Sequence, residues 1–537
     1  MDIVSSYYRF SRIPPFGING IRRFPPNVAE MRQHVARHFE DTLQVGGTLS
    51  LVFAYEMPYN SDYQCSIPAF EGLFPPDHDD IIRILLFRLC EWHALAKLRL
   101  HSNDSLALLD EALKKLGTQI RKFQEKTCEV FKTCKLPSEA AARQRRQQAQ
   151  AELGCQVKPA SSTVRLKKFN TLTYKFHALG DYTRTIRMFG TTDSYTTQIV
   201  SRLYYMMCYF STNSLSKGES AHRVVKKFYR HTNKKDVAMG ITKYERRVTR
   251  IQQQLDSLAA EGTVPTAEIS DDSSPELHHV MRPLPCNVFN LAKFLSENRS
   301  DPVVKVGKGF FGSSDSYSPQ GFVPRMKDHL LSRLLGYEYN GDECAFTDDE
   351  RNDLRIIGGL NRAIQSNVLR INYTTYDIRR GQDVLRPGPK CFVFTLSRED
   401  RPDAHPFWYA QVLRAFHIKV LHTGPNARCH SPQTMELLWV RWLGVELNYR
   451  WGFHNARLPK VGFVPESDDN AFGFLDPSLV IRGCHLIPCF TDGRTTALLK
   501  QGHSVARDPT EEDDQCSFYV NMYVVYHHNC KLTTSDS

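Results

Sequence analysis

A chain of 537 residues has room for two or three domains with separate cores, and 41% hydrophobic with 24% charged residues is the composition of a folded protein, not a disordered one. The longest strongly apolar run, Leu203–Phe210, is too short to span a bilayer, and residues 1–25 hold no apolar core of signal-peptide type, so neither membrane insertion nor secretion is expected. Fourteen cysteines without dense spacing favour reduced intracellular thiols, and a net charge of +11 permits an acidic partner such as nucleic acid without establishing one.

Residues 1–44 open on a Pro/Phe-rich entry, IPPFGINGIRRFPP, followed by an expected helix over Asn27–Gln44. Helical spacing predicts two further helices, Asp77–Leu100 and Asp104–Cys134. In the second, Leu106, Leu109, Leu113, Leu116, Ile120 and Phe123 recur at threes and fours, with Asp104 as the expected N-cap. Residues 135–168 read as a basic arm and linker, 169–255 as helical again, and 256–301 as a linker whose stretch 259–277 is rich in Ser, Pro and acids.

From about Pro302 the texture changes. RMKDHLLSRLLG and DDERNDLRIIGGL predict helices, and then come alternating β-branched and aromatic runs. These are LRINYTTYDI (369–378), KCFVFTLS (390–397), HPFWYAQVLRAFHIKVLH (405–422), MELLWVRWL (435–443), KVGFV (460–464) and FYVNMYVVY (518–526). The expected fold class is α+β: a helical N-terminal half, 1–134 and 169–255, followed by a small antiparallel β-barrel-like domain over 302–537.

Three constellations invite chemistry. Cys484, His485 and Cys489, with His527, His528 and Cys530 near the end, offer zinc-type ligands, but the first group sits in an apolar, strand-like word where packing around a satisfied His485 is the stronger expectation. KVGKGFFGSSDSYSPQG (305–321) is Gly-rich yet lacks the GK[ST] ending of a phosphate loop, and the sequon NRS at 298–300 means nothing without secretion. Phe407, Trp408, Tyr409, Trp439 and Trp442 read as core aromatics, with a cage or stacking surface as the alternative.

The most telling words are split. KFHALGDYTRTIRMFGTTDSYTTQI (175–199) and GESAHRVVKKFYRHTNKK (218–235) are separated by VSRLYYMMCYFSTNSLSK (200–217), and DTLQ (41–44) is separated from CSIPAFEGL (65–73) by a similarly Tyr-rich stretch, 45–64. Joined across these breaks, and together with RRFPPNVAEM (22–31), LLFRLCEWHALAKLRLHSNDSLALLDEAL (85–113), LPSEAAARQRR (136–146), ITKYERR (241–247) and PSLVIRGCHLIPCF (477–490), the chain resembles the C-terminal part of fungal Plavaka-type transposases, relatives of the CACTA elements. The intervening stretches read as translated introns. Val-Ser at 200–201 can be encoded GTRAGY, a splice-donor match, and Lys217 and Gln64 can end in AAG and CAG, acceptable acceptor ends.

The resemblance implies a ribonuclease-H-like core in which three acids hold two divalent metals, Mg²⁺ in the intact family, at a phosphodiester. It assigns the third acid, catalytic and metal-binding, to Glu219, and places the first two aspartates upstream of Met1, so that the chain is expected to be inactive as it stands, with no cofactor of its own. Glu219 reads also as a surface carboxylate at a helix N-terminus. After it, Arg223, Lys226, Lys227, Arg230, Lys234 and Lys235 make a dense basic run in which Arg223, Lys227 and Arg230 share a helix face, an expected DNA-binding surface or an ordinary solvated face. The partners implied are DNA and, for an intact transposase, further copies of itself, in the nucleus. The alternative reading is a domesticated, non-enzymatic nucleic-acid or chromatin-binding protein.

Overall fold

The computed structural model describes residues 3–17, 21, 23–24, 62–131, 133–134, 145, 166–167, 169–192, 250, 277–281, 288–301, 303–304, 321–339, 344–359, 363–399, 404–446 and 448–522. The chain divides into two compact units, one of 1–94, 111–179 and 278–537, the other of 95–110 and 180–277. Among the described residues the class is α+β with antiparallel sheets, and no helix is long and apolar enough to cross a membrane.

In the first unit the N-terminal helices are α1 (Ile3–Arg12), α2 (Asp62–Phe70) and α3 (Pro76–Ala96). α3 starts on a proline, whose missing N–H costs nothing there, and carries Asp77 and Asp79 in its first turn, where the helix dipole favours them. Its Ile81, Ile82, Leu85, Leu86, Leu89 and Trp92 are buried. Phe10, Ile13, Phe24, Cys65 and Ala69 of the N-terminal part close over Ile487 as one apolar cluster. The stretch 45–64 read as an insertion ends inside α2, which begins at Asp62; its remainder, and all of 200–217, lie outside the described residues.

The centre of this unit is an eleven-stranded sheet. Its strands are β1 (Val288–Phe289), β2 (Leu354–Ile356), β3 (Ala363–Ser366), β4 (Phe392–Leu396), β5 (Phe407–His422), β6 (Gln433–Val445), β7 (Lys460–Phe463), β8 (Phe472–Leu475), β9 (Arg482–Gly483), β10 (Leu486–Pro488) and β11 (Phe518–Val520). They run in the order β9–β4–β5–β6–β7–β11–β10, with β8 on β6, β2 and β3 on β5, and β1 on β3. The expected runs at 390–397, 405–422, 435–443 and 460–464 supply strands of this sheet; that at 518–526 gives only Phe518–Val520, with 523–526 outside the described residues, and that at 369–378 gives Leu369–Thr374 in a separate three-stranded sheet. β5 and β6 pair along most of their length, from Tyr409 opposite Leu443 to Val420 opposite Gln433.

The barrel-like form expected from sequence is corrected to an open, branched sheet: its end strands β9 and β10 do not pair with each other. The outer edge of β5 is shared: Phe407–Gln411 pair with β4 while the later part pairs with β3 and β2, and a bulge between Val412 and Arg414 in the β5–β6 ladder falls at the changeover.

Two helical expectations also change. DDERNDLRIIGGL gives a helix only over Asp348–Asp353, started by a capping box between Thr347 and Glu350, because Leu354–Ile356 leave it to pair with β5. RMKDHLLSRLLG belongs to a longer helix, Phe322–Leu335, whose Phe322 packs edge-on against Trp439 at 5.0 Å and Phe474 at 5.1 Å. The stretch 278–301, read as the end of a linker, contributes the strand His279–Met281, β1 and the helix Leu291–Glu297.

The second unit is described only over 95–110, 180–192, 250 and 277. The helix that begins at Asn103 is capped by Ser102, not by Asp104 as expected: Ser102 Oγ accepts from the Ser105 N–H at 3.1 Å and Ser105 Oγ accepts from the Ser102 N–H at 2.9 Å. This reciprocal pair satisfies two otherwise orphaned donors. The helix Tyr182–Phe189 is tied to it by Thr183 Oγ1 donating to Asp110 at 2.6 Å and Arg187 donating to Asn103 at 3.2 Å.

Candidate nucleic-acid interface

Glu219 and the basic run Arg223, Lys226, Lys227, Arg230, Lys234 and Lys235 all lie outside the described residues. A different basic site is formed within the first unit. A cavity of about 390 Å³ is lined by Arg83, Asn448, Arg450, Asn455 and Arg457: three guanidinium groups, two carboxamides and no acid.

Arg83 stands on α3, and the other four come from the connection between β6 and β7. That connection is a tight loop closed by an antiparallel bridge between Gly452 and Arg457, with N···O distances of 2.9 and 3.3 Å. Its turn requires left-handed backbone at Gly452 (φ 106°) and at Ala456 (φ 49°), the second a strained position for a residue with a Cβ. The strain is held by packing and by one hydrogen bond. Ala456 is buried, its carbonyl accepts from Arg83 Nη1 at 2.7 Å, and Phe453 meets Phe87 of α3 edge-on at 6.0 Å.

Arg83 thus fastens the loop while its Nη2 pairs with the exposed Asp80 at 2.9 Å. Arg457 lies over the Tyr449 ring at 5.6 Å, and Asn455 is oriented by donating to the Trp451 carbonyl at 3.1 Å. Arg450 and Asn448 are exposed and carry no hydrogen bond or ion pair among the described residues. Beneath them Tyr519 Oη donates to Glu71 at 2.8 Å; burial pushes the Glu71 carboxyl up, partly offset by that bond and by the charge of Arg83. Burial and Glu71 likewise push the Tyr449 hydroxyl up to about 12, so it stays a neutral donor at physiological pH.

Guanidinium forks match phosphate oxygens bidentately and remain charged at any working pH, and carboxamides add neutral donors. An acid-free concave set of this kind is suited to a phosphodiester backbone. Sequence reasoning did not single out NYRWGFHNAR (448–457), although its alternation of basic and aromatic residues is the signal that would have found it.

The zinc-type group resolves into packing. Cys484 is buried, and both ring nitrogens of His485 are engaged: Nε2 donates to the Pro14 carbonyl at 2.9 Å, so Nδ1 accepts from Asn521 Nδ2 at 3.1 Å. No group of three His, Cys, Asp or Glu able to hold a metal occurs among the described residues; His527, His528, Cys530 and most of 305–321 lie outside them. Phe407, Tyr409 and Trp439 are buried, whereas Trp408 and Trp442 are half-buried beside Tyr339.

One further array has the outline of a hydrolytic triad. Ser366 Oγ lies 2.8 Å from His417 Nε2, and His417 Nδ1 lies 3.4 Å from Glu436, which also meets His279 at 2.8 Å. Ser366 is 0% exposed, so no substrate carbonyl reaches its hydroxyl and the array is a buried network joining β3, β5 and β6. Compared with protein-family models, with curated proteins and with solved structures, the chain matches none of them.

Proposed function

We propose that the chain is the C-terminal portion of a Plavaka-type DNA transposase, with a ribonuclease-H-like core completed by sequence outside it, that acts in the nucleus by holding the DNA backbone. The observation that carries the binding part of this reading is the acid-free lining of the Arg83, Asn448, Arg450, Asn455 and Arg457 cavity on a chain of net charge +11. Contacts of this type go to phosphates and carry no sequence information. The basic run from Arg223 to Lys235, which lies outside the described residues, is a second candidate DNA contact on this reading, in a transposase assembled from several copies.

The catalytic part rests on the resemblance, which gives this sequence one carboxylate, Glu219, of the three a two-metal site needs. On that reading the chain binds Mg²⁺ too weakly to cleave. Two outcomes are expected. A fluorescently labelled duplex of arbitrary sequence binds the full chain and is displaced equally by any unrelated duplex, and a supercoiled plasmid with Mg²⁺ remains uncut. Failure to bind duplex at low salt would remove the binding reading. Nicking that disappears in Glu219→Gln would overturn the inactive one.

A further inference from the structure

A second cavity, of about 400 Å³, opens in the same unit beside the helix Phe322–Leu335 and the far end of the β5–β6 hairpin. Its polar lining is Arg333, Tyr337, His422, Arg428, Cys429, Gln433 and Asp476. Arg333 is already committed, pairing with Asp476 at 2.7 Å and donating to the Glu436 carbonyl. Two other groups are not. Arg428 is exposed and has no hydrogen bond or ion pair among the described residues. The His422 side chain is more than nine-tenths buried, lines the cavity, and is likewise unpartnered.

The backbone places Arg428 there deliberately. The helix ends at Gly336 with φ 72°, and a Cβ on that glycine would stand 2.3 Å from Arg428 Nη1, so the guanidinium lies directly on the bare backbone. Next in the chain, Cys429 is only half-buried, and its Sγ lies 3.0 Å from Ser431 Oγ. Hydrogen bonds from Ser431, with a further one from Gln433, hold this thiol below the usual cysteine range, which favours the nucleophilic thiolate. Cys391 and Cys484, by contrast, are fully buried.

We propose that this cavity is a thiol-modification site, in which Cys429 exchanges with small carboxylate-bearing disulfides of the glutathione type that are held by Arg428 and His422. The Cys429 thiolate attacks one sulfur of the disulfide. A new S–S bond to Sγ forms as the old one breaks, and the departing thiolate takes up a proton from solvent equivalent to the one Cys429 gave up. The small disulfide is the oxidant: one half of it stays on the protein and the other leaves as thiol. A cavity of this volume is at the lower end of those that hold small ligands, the scale of a tripeptide.

The test treats the full chain with oxidised glutathione and follows each cysteine by peptide mass mapping. Cys429 is expected to be modified about tenfold faster than the exposed Cys344, and Arg428→Ala to slow Cys429 by about tenfold, the share of one charge-assisted hydrogen bond. With the neutral disulfide of 2-mercaptoethanol, the same variant is expected to react as the parent does. Modification of Cys344 at the rate of Cys429 overturns the proposal. So does an Arg428→Ala variant that is unchanged with glutathione, or slowed equally with both reagents.

Discussion

Replacing Asp514 by alanine is expected to lower the unfolding free energy by about 3–5 kcal/mol. Asp514 lies between two buried arginines. Its carboxylate accepts from Arg441 Nη2 at 2.7 Å and from Arg507 Nε at 2.9 Å, and the three side chains are 0 to 3% exposed. Burial alone would push its carboxyl up, but the two guanidinium groups outweigh burial and hold it below the usual range.

Without Asp514 the two arginines fare differently. Arg507 keeps the carbonyls of Leu499, Lys500, Gly502 and Glu512. Arg441 keeps only a long hydrogen bond from Nη2 to the Leu498 carbonyl, at 3.5 Å, and the Phe463 and Phe472 rings, because its Nε and Nη1 already lack hydrogen-bond partners. An uncompensated charge in the middle of β6 is the costly outcome. Urea unfolding at neutral pH reads it as a lowered midpoint with unchanged slope. A loss under about 1 kcal/mol would mean that water reaches Arg441 and that the site is not sealed.

Acid is expected to unfold the chain well above the carboxylate range. Burial holds His329 down to about 3, and His405 and His485 down to about 4, from an ordinary 6.5. Each imidazole binds its proton less readily folded than unfolded. Between about pH 6.5 and pH 4 the unfolded chain therefore carries the extra protons, and stability falls as pH falls. At pH 5 each group costs up to about 2 kcal/mol, together about 6, which approaches the whole stability of an ordinary domain.

His485 shows why the penalty is real at the atomic level. Its neutral form satisfies both nitrogens, and a second ring proton would face the Asn521 amide donor. Unfolding free energies measured at pH 7.5 and pH 5 are expected to differ by several kcal/mol, with His485→Gln recovering its share at pH 5. A flat profile across that interval would contradict the burial of these three rings.

The parts of the fold legible in the sequence are those whose signal is local. The β-branched and aromatic content of HPFWYAQVLRAFHIKVLH and MELLWVRWL gives β5 and β6, whose two faces are both buried, Phe416 and Trp439 in one cluster and Val412, Ala415, Leu438 and Val440 in another. Threes and fours in α3 give its buried Ile81, Leu85 and Leu89. What the sequence hid depends on partners far along the chain. Leu354–Ile356 continue a helical word but pair with β5, and the division of one edge of β5 among β4, β3 and β2 is set by strands distant in the chain. The cap at Ser102 was hidden by Asp104, an equally good capping residue two places on.

The candidate site divides in the same way. Glu219 and the basic run were legible as words of a resemblance, not as geometry, and they lie outside the described residues. The described cavity joins Arg83 to a loop that begins more than 360 positions later, through a hydrogen bond from Arg83 to Ala456 that spans 373 residues. No local pattern reports such a meeting. The loop's own alternation of Tyr449, Arg450, Trp451 and Phe453 marks it as basic and aromatic but does not say that a helix supplies the third guanidinium.

The most direct test of the account is the salt dependence of duplex DNA binding, measured by fluorescence anisotropy for the parent chain and for the double substitution Arg450→Ala, Arg457→Ala. Arg83 is left in place because it holds the Ala456 carbonyl. Loss of two phosphate contacts is expected to weaken binding to every sequence alike and to flatten the slope of log affinity against log salt by about 2. An unchanged slope and affinity in the double variant would show that DNA, if bound at all, is held elsewhere.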